Sequence, residues 1–285
     1  MLYLENFQPY LLDRIVYPYR IVYPMQLESI DFAPITIFYG RNGSGKYTLL
    51  NIIAESVGIK DKTLGNTNEF FTKYARMCTF THNSIPDESM MIRSEDIMEQ
   101  IANIRKKNAA TDKMVKEWFR KGANEDYKKG SLLREVAVQE KFEDVFEGGM
   151  GQNSFYAHVR KTLSEKFEEE SNGETAIRYF KDKLWADNLY FLDEPENSMS
   201  PAFQMELAQY ITILAYRLNT QFIIASHSPF MLSMEGARIY DLDSHPSRVR
   251  EWFELENMKA YFQLFKKFEK RFEILVHRQN QDLQL

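Results

Sequence analysis

The chain has 285 residues, 44% of them hydrophobic and 27% charged, a composition that excludes disordered, collagen-like and disulfide-stapled proteins. A formal net charge of −5 argues against a chain that coats nucleic acid by bulk charge. Cys78 stands alone, which excludes an intrachain disulfide or a four-cysteine zinc site and suits a reducing compartment.

Met1 to Phe7 carries Glu5 and lacks the basic and apolar regions of a secretory leader, and apolar runs such as Phe222 to Ala225 are far too short to cross a membrane. The expectation is a cytoplasmic chain with no membrane contact. Up to about residue 92, β-type runs (Arg20 to Tyr23, Ile35 to Tyr39, Met77 to Thr81) alternate with turns and with a helix that follows Gly45. From about 94 to 170 the texture turns charged and helical, with spacings such as Ile97, Ile101, Ile104 and Leu132, Val136, Val138, Phe142. From Ser171 the α/β alternation returns: a helix to about Trp185, a strand Leu189 to Leu192, a helix after Pro201, a strand Phe222 to Ala225 and a short strand near Ile239 to Leu242. The tail places Met258, Tyr261, Phe262, Phe265, Phe268, Phe272 and Leu275 on one helical face, which reads as a helix docked on its own domain. Four segments follow: 1–93, the insertion 94–170, the α/β part 171–245, and the amphipathic helix 246–285.

Gly40-Arg41-Asn42-Gly43-Ser44-Gly45-Lys46 fills the first seven positions of a phosphate-loop pattern, between a predicted strand and a predicted helix. The glycines let backbone N–H groups turn inward on phosphate oxygens, the helix start adds its dipole, and Lys46 reaches the β and γ phosphates. The eighth position should be Ser or Thr, the Mg²⁺ ligand, but is Tyr47. A tyrosine oxygen sits roughly 6.5 Å from its Cα against about 2.4 Å for serine, so it does not fill the same ligand position. Thr48 is rotated about 100° around the helix and should face away from the metal.

Leu189 to Leu192 ends in Asp193 and Glu194, two acids at the end of an apolar strand, which is costly unless they meet a cation or a water. Beside a phosphate loop that cation is nucleotide-bound Mg²⁺, held by Asp193, while Glu194 polarises the attacking water. His227, just past the next apolar strand, is placed to sense a γ phosphate.

Together with Ser171-Asn172-Gly173-Glu174, Phe191 to Pro201 and Ala225 to Pro229, these strings resemble the ABC type of P-loop ATPase. The form is similar to the stand-alone predicted AAA-family ATPases related to SMC, RecF and overcoming-lysogenization-defect heads. The resemblance implies an α/β fold, a P-loop NTPase with a mostly parallel central sheet, an N-terminal β-rich part and a helical insertion. It implies ATP and Mg²⁺ as cofactors, with Gly40 to Thr48 on the nucleotide and Asp193 on the metal. Lys46, Glu194 and His227 would be the catalytic group. By the same resemblance Ser171 to Glu174 is the signature motif that caps the γ phosphate of a facing subunit, and Glu196 to Ser200 is the loop lining that subunit. No glutamine lies between Leu27 and Glu99, so the usual glutamine contact to Mg²⁺ has no counterpart; Glu88 to Glu95 stands in its place. Tyr17, Tyr19 and Tyr23 are all eligible to stack on adenine.

Between Ile104 and Lys129, basic residues outnumber acidic ones, with Trp118, Phe119 and Tyr127 interleaved. This is a candidate nucleic-acid or partner surface, and a solvated helical face is the competing reading. The expected function is an ABC-type ATPase that dimerises around ATP as a homodimer and couples binding and hydrolysis to an effector or toxin protein, in DNA maintenance or phage defence. The alternative is a nucleotide-gated scaffold with little turnover, because Tyr47 replaces the metal-ligating hydroxyl.

Overall fold

The computed structural model describes residues 2–59, 69–103, 105–106 and 172–274. Ser171, Ile104, Leu275, and the insertion from 107 to 170 with nearly all of its basic segment lie outside the described residues. The chain divides into a larger compact unit, Met1–Ile97 with Ala176–Leu285, and a smaller one, Met98–Thr175. The smaller unit contributes helical turns to the description: residues 98–103 and 105–106, and Asn172 to Thr175 at the start of a helix.

The larger unit is built on a six-stranded sheet in the order β5-β6-β7-β3-β8-β9. Its strands are β3 (Ile35–Tyr39), β5 (Met90–Arg93), β6 (Leu189–Asp193), β7 (Gln221–Ala225), β8 (Arg238–Asp241) and β9 (Arg248–Arg250). The first five run parallel and β9 is an antiparallel edge. β3, β6 and β7 are buried at every residue, as their near-continuous apolar runs require of strands covered on both faces. A second, antiparallel sheet has the order β2-β1-β4, from β1 (Leu4–Gln8), β2 (Ile30–Asp31) and β4 (Thr79–His82).

Helix α2 (Lys46–Ser56) joins the two sheets in one apolar cluster. Its Leu49, Leu50, Ile52 and Ile53 share that cluster with Phe38, Phe191 and Ile223 of the large sheet and with Leu4, Phe7 and Ile30 of the small one. Gln221 fastens the same junction: its Oε1 accepts from the backbone N–H groups of Tyr3 and Leu4 at 2.9 and 2.8 Å, and its Nε2 donates to the Leu4 carbonyl at 2.8 Å. A fully buried amide with its partners supplied in this way pins β1 to the start of β7.

Two sequence expectations need correction. Arg20 to Tyr23 is not a strand. Tyr19–Val22 is a helical turn, α1, followed by a tight turn over Tyr23–Met25. Pro18 and Pro24 bracket the segment, and Tyr19, Val22 and Met25 bury at a spacing of three, which decides for a helical path over the β-prone composition. The tail does form helix α7 (Glu256–Lys267), but only Leu255 and Met258 are buried, while Tyr261, Phe262, Leu264, Phe265, Phe272 and Ile274 are exposed. Its aromatic face therefore runs past its own domain instead of lying on it. The remaining helices are α3 (Glu69–Met77), α4 (Asn172–Lys183), α5 (Pro201–Arg217) and α6 (Pro229–Leu232).

Candidate nucleotide site

Because β5, β6, β7 and β3 are adjacent and parallel, their carboxyl ends bring four chain segments to one edge of the sheet. This is where ligands of such sheets bind. Gly40 leaves β3 and opens the loop, and Ser44 N–H closes a turn on the Arg41 carbonyl at 3.0 Å. Gly45, at φ 95°, stands at the head of α2, a left-handed conformation that a side chain disfavours; a Cβ there would also meet Ile21 at 2.6 Å. Arg41, Asn42 and Gly43 are exposed, while Lys46 is buried.

Lys46 Nζ donates to the carbonyls of Gly40 at 2.8 Å and Arg41 at 3.3 Å, and lies 3.5 Å from Glu194 Oε1. His227 Nδ1 lies 3.6 Å from the same Glu194 oxygen. The structure thus brings together Lys46, Asp193, Glu194 and His227 from three strand ends. Glu194 has a positive φ of 44°, a conformation uncommon for a residue with a side chain, at the turn that ends β6. Asp193 is buried, and its carboxyl is pushed up to about 7, first by burial and then by Glu194 and Glu95, with Lys46 opposing. Carboxylates concentrated around one lysine form a place for a further cation.

Among the described residues no group of three His, Cys, Asp or Glu is arranged to hold a metal unaided. Mg²⁺ at a nucleotide takes one or two carboxylates, with phosphate oxygens and water completing the shell. Asp193 is the fitting protein donor.

Tyr47 and Thr48 both lie near the Tyr17 side chain. The Tyr47 hydroxyl faces Arg93, whose Nη1 reaches it at 3.5 Å. Thr48 is buried and hydrogen-bonds the Tyr17 side chain. Of the tyrosines eligible for adenine, Tyr17 stacks on Phe71 and Tyr19 packs edge-on against Tyr74, so their rings are engaged inside the domain. Tyr23 is exposed. Of the residues expected to be the signature motif, Asn172, Gly173 and Glu174 form the first turn of α4, where Arg105 donates to Asn172 Oδ1; Ser171 is outside the described residues.

Three participants were not legible as such in the sequence. Glu196 is buried, and its Oε1 accepts from the Ser226 hydroxyl at 2.6 Å and from the N–H groups of His227 and Ser228 at 3.1 Å each. This residue, expected on a loop lining a facing subunit, turns inward and sets the histidine turn. Asp243, beyond β8, accepts from the Arg41 N–H through both oxygens and ion-pairs with its guanidinium at 3.5 Å. Arg93 at the end of β5 is the third. Charge at the glutamine-free segment was a signal for Arg93; no local pattern marks Asp243.

Residues 81–233 match a family model described as "AAA domain, putative AbiEii toxin, Type IV TA system". No curated protein matches the chain. Among solved structures, an SMC head domain with an extended coiled coil from Pyrococcus furiosus is 13% identical, covering 93% of this chain and 99% of its own, with a TM-score of 0.40. The SMC head domain from Thermotoga maritima is 12% identical, with 87% and 98% covered and a TM-score of 0.41. A nucleotide-free ATP-binding cassette from an ABC transporter is 14% identical, with 90% and 95% covered and a TM-score of 0.40.

Proposed function

Because the chain belongs to the AAA-domain family, we propose that it is an ATP-binding ATPase of the ABC type that closes as a homodimer around ATP and couples nucleotide binding and hydrolysis to a partner protein. The observation that carries this reading is the convergence of Lys46 with Glu194 and His227 beside Asp193, on adjacent strand ends next to a glycine-rich loop that opens a helix. The loop N–H groups and Lys46 hold the phosphates, Lys46 exchanging the Gly40 and Arg41 carbonyls for phosphate oxygens. Glu194 orients the attacking water and takes its proton, and His227 reports the γ phosphate to Glu194. Asp193 would hold Mg²⁺, which when bound neutralises charge on the phosphates.

In the same reading, 1–93 and 171–245 form the ATPase body, 94–170 is inserted and 246–285 is appended. Ser171 to Glu174 caps the facing subunit's nucleotide, and ATP but not ADP drives dimerisation, because only ATP presents the γ oxygens to that helix start. The toxin and TA system in the family description motivate an effector or toxin partner, with phage defence or DNA maintenance as the process and the cytoplasm as the place. The basic 104–129 segment is the candidate contact to nucleic acid.

Lys46→Ala should weaken ATP binding by about tenfold or more, measured by calorimetry; equal affinity removes the site assignment. Sedimentation with ATP and with ADP tests the dimer, which Glu194→Gln should accumulate. A second reading, the nucleotide-gated scaffold with little turnover, is favoured by one observation: the Tyr47 hydroxyl is engaged by Arg93. Tyr47→Ser raising Mg²⁺-dependent phosphate release would speak for the enzyme, and a background rate in that variant for the scaffold.

A further inference from the structure

The two departures from the expected nucleotide site, Tyr47 in the helix and a strand end without glutamine, meet in space. Arg93 is register-paired with Asp193 across β5 and β6, and register-paired residues leave the same face of a sheet. Its Nη1 reaches the Tyr47 hydroxyl at 3.5 Å and its Nη2 lies 3.5 Å from Asp96 Oδ1. Asp96 Oδ2 also accepts from the Arg93 backbone N–H at 2.9 Å, so one carboxylate braces the residue at both ends. The Arg93 side chain is only 13% exposed. A guanidinium drawn this far out of water, against the hydroxyl of the residue that follows Lys46 in α2, places charged N–H donors at the edge of the sheet where phosphates are expected.

We propose that Arg93 is a second phosphate-binding cation of the nucleotide site, presented by Asp96 and by the Tyr47 hydroxyl. The proposal rests on the ATP-site reading above and assigns it a ligand preference: a nucleoside triphosphate, bound without dependence on a divalent cation. The chemistry at position 47 is inverted relative to serine or threonine. A metal-ligating hydroxyl offers its lone pair to the cation. The Tyr47 oxygen offers that lone pair to Arg93, which leaves its O–H free to donate to a phosphate oxygen. Arg93 is the binding residue, and Tyr47 and Asp96 are positioning residues.

The test is calorimetric titration of ATP and ADP into the full chain, in EDTA and again in Mg²⁺. The wild-type chain should bind ATP in EDTA. Arg93→Gln should weaken ATP there by about tenfold and ADP by less than about threefold, since the lost contact is to the terminal phosphate. Tyr47→Phe keeps the ring and should lose about threefold for ATP in EDTA; it decides the matter if Arg93→Gln does not fold, as its melting curve would show. Tyr47→Ser should make ATP affinity rise on adding Mg²⁺. If wild type binds ATP in a Lys46-dependent way while Arg93→Gln and Tyr47→Phe keep its affinity in EDTA, this inference falls and the nucleotide site stands. A wild-type chain that binds no ATP, or binds it equally after Lys46→Ala, overturns both.

Discussion

Asp193 shows how the placement of a single side chain costs stability. Burial and the neighbouring acids hold its carboxyl near 7 instead of the usual 3.8. A group whose folded pKa is raised supplies stability that is complete below its unfolded value and is lost as pH rises through the folded value. Without nucleotide, the folded chain should therefore weaken between about pH 4 and 7 on this group's account. Asp193→Asn should stabilise it at pH 8 by about 1–3 kcal/mol and change it little at pH 4. Thermal melts at the two pH values check this, and equal shifts at both would count against the burial argument. Glu196 is a buried side chain with three donors on one oxygen. Removing it leaves the Ser226 hydroxyl and two backbone N–H groups without that acceptor, so Glu196→Ala should cost about 2–4 kcal/mol in urea unfolding. The His227 turn would loosen with it.

Between elements, the junction of the two sheets depends on one amide. Gln221 begins a strand whose other residues are apolar, and its side chain serves three backbone groups of Tyr3 and Leu4 in a place water does not reach. Gln221→Leu keeps the volume and strands those groups, so it should destabilise by about 2–4 kcal/mol. Amide hydrogen exchange at Tyr3 and Leu4 should accelerate with it, and protection equal to wild type would show that β1 is held by apolar packing alone. Helix α7 is the contrasting element. Its spacing was readable as amphipathic, yet periodicity reports a face and not what covers it, and the face is exposed past Met258.

For the molecule as a whole, Cys78 is a built-in reporter, because no other cysteine competes with it. It is 6% exposed in the cluster around α2, and burial pushes its thiol up to about 11. Thiolate formation is thus disfavoured in the fold, and the corresponding stability is lost as pH rises from about 9 towards 11. At pH 8 a thiol reagent should modify native Cys78 far more slowly than the urea-unfolded chain. Modification at the unfolded rate would mean that the two-sheet core opens freely.

The phosphate loop and the acidic strand end were legible in the sequence alone, because each is a string of a few residues whose order carries the pattern; the histidine turn was legible as a string as well, but Glu196 holds it from 31 residues away. The same locality made β3, β6 and β7 legible: an apolar run short enough for a strand and bounded by turn residues has few other fates. Locality also misled at Arg20 to Tyr23, where β-prone residues bury at helical spacing between prolines. Tertiary structure decided the rest through strand order. Arg41 and Asp243 are 202 residues apart in the chain and meet because β3 and β8 are neighbours. Arg93 stands in register with Asp193 and meets Tyr47 because β5 pairs with β6 at the sheet's edge. Such contacts leave no spacing to read: the residues that meet are chosen by which strands pair, and pairing is set by burial of whole faces, not by the polar side chains that the pairing then brings together.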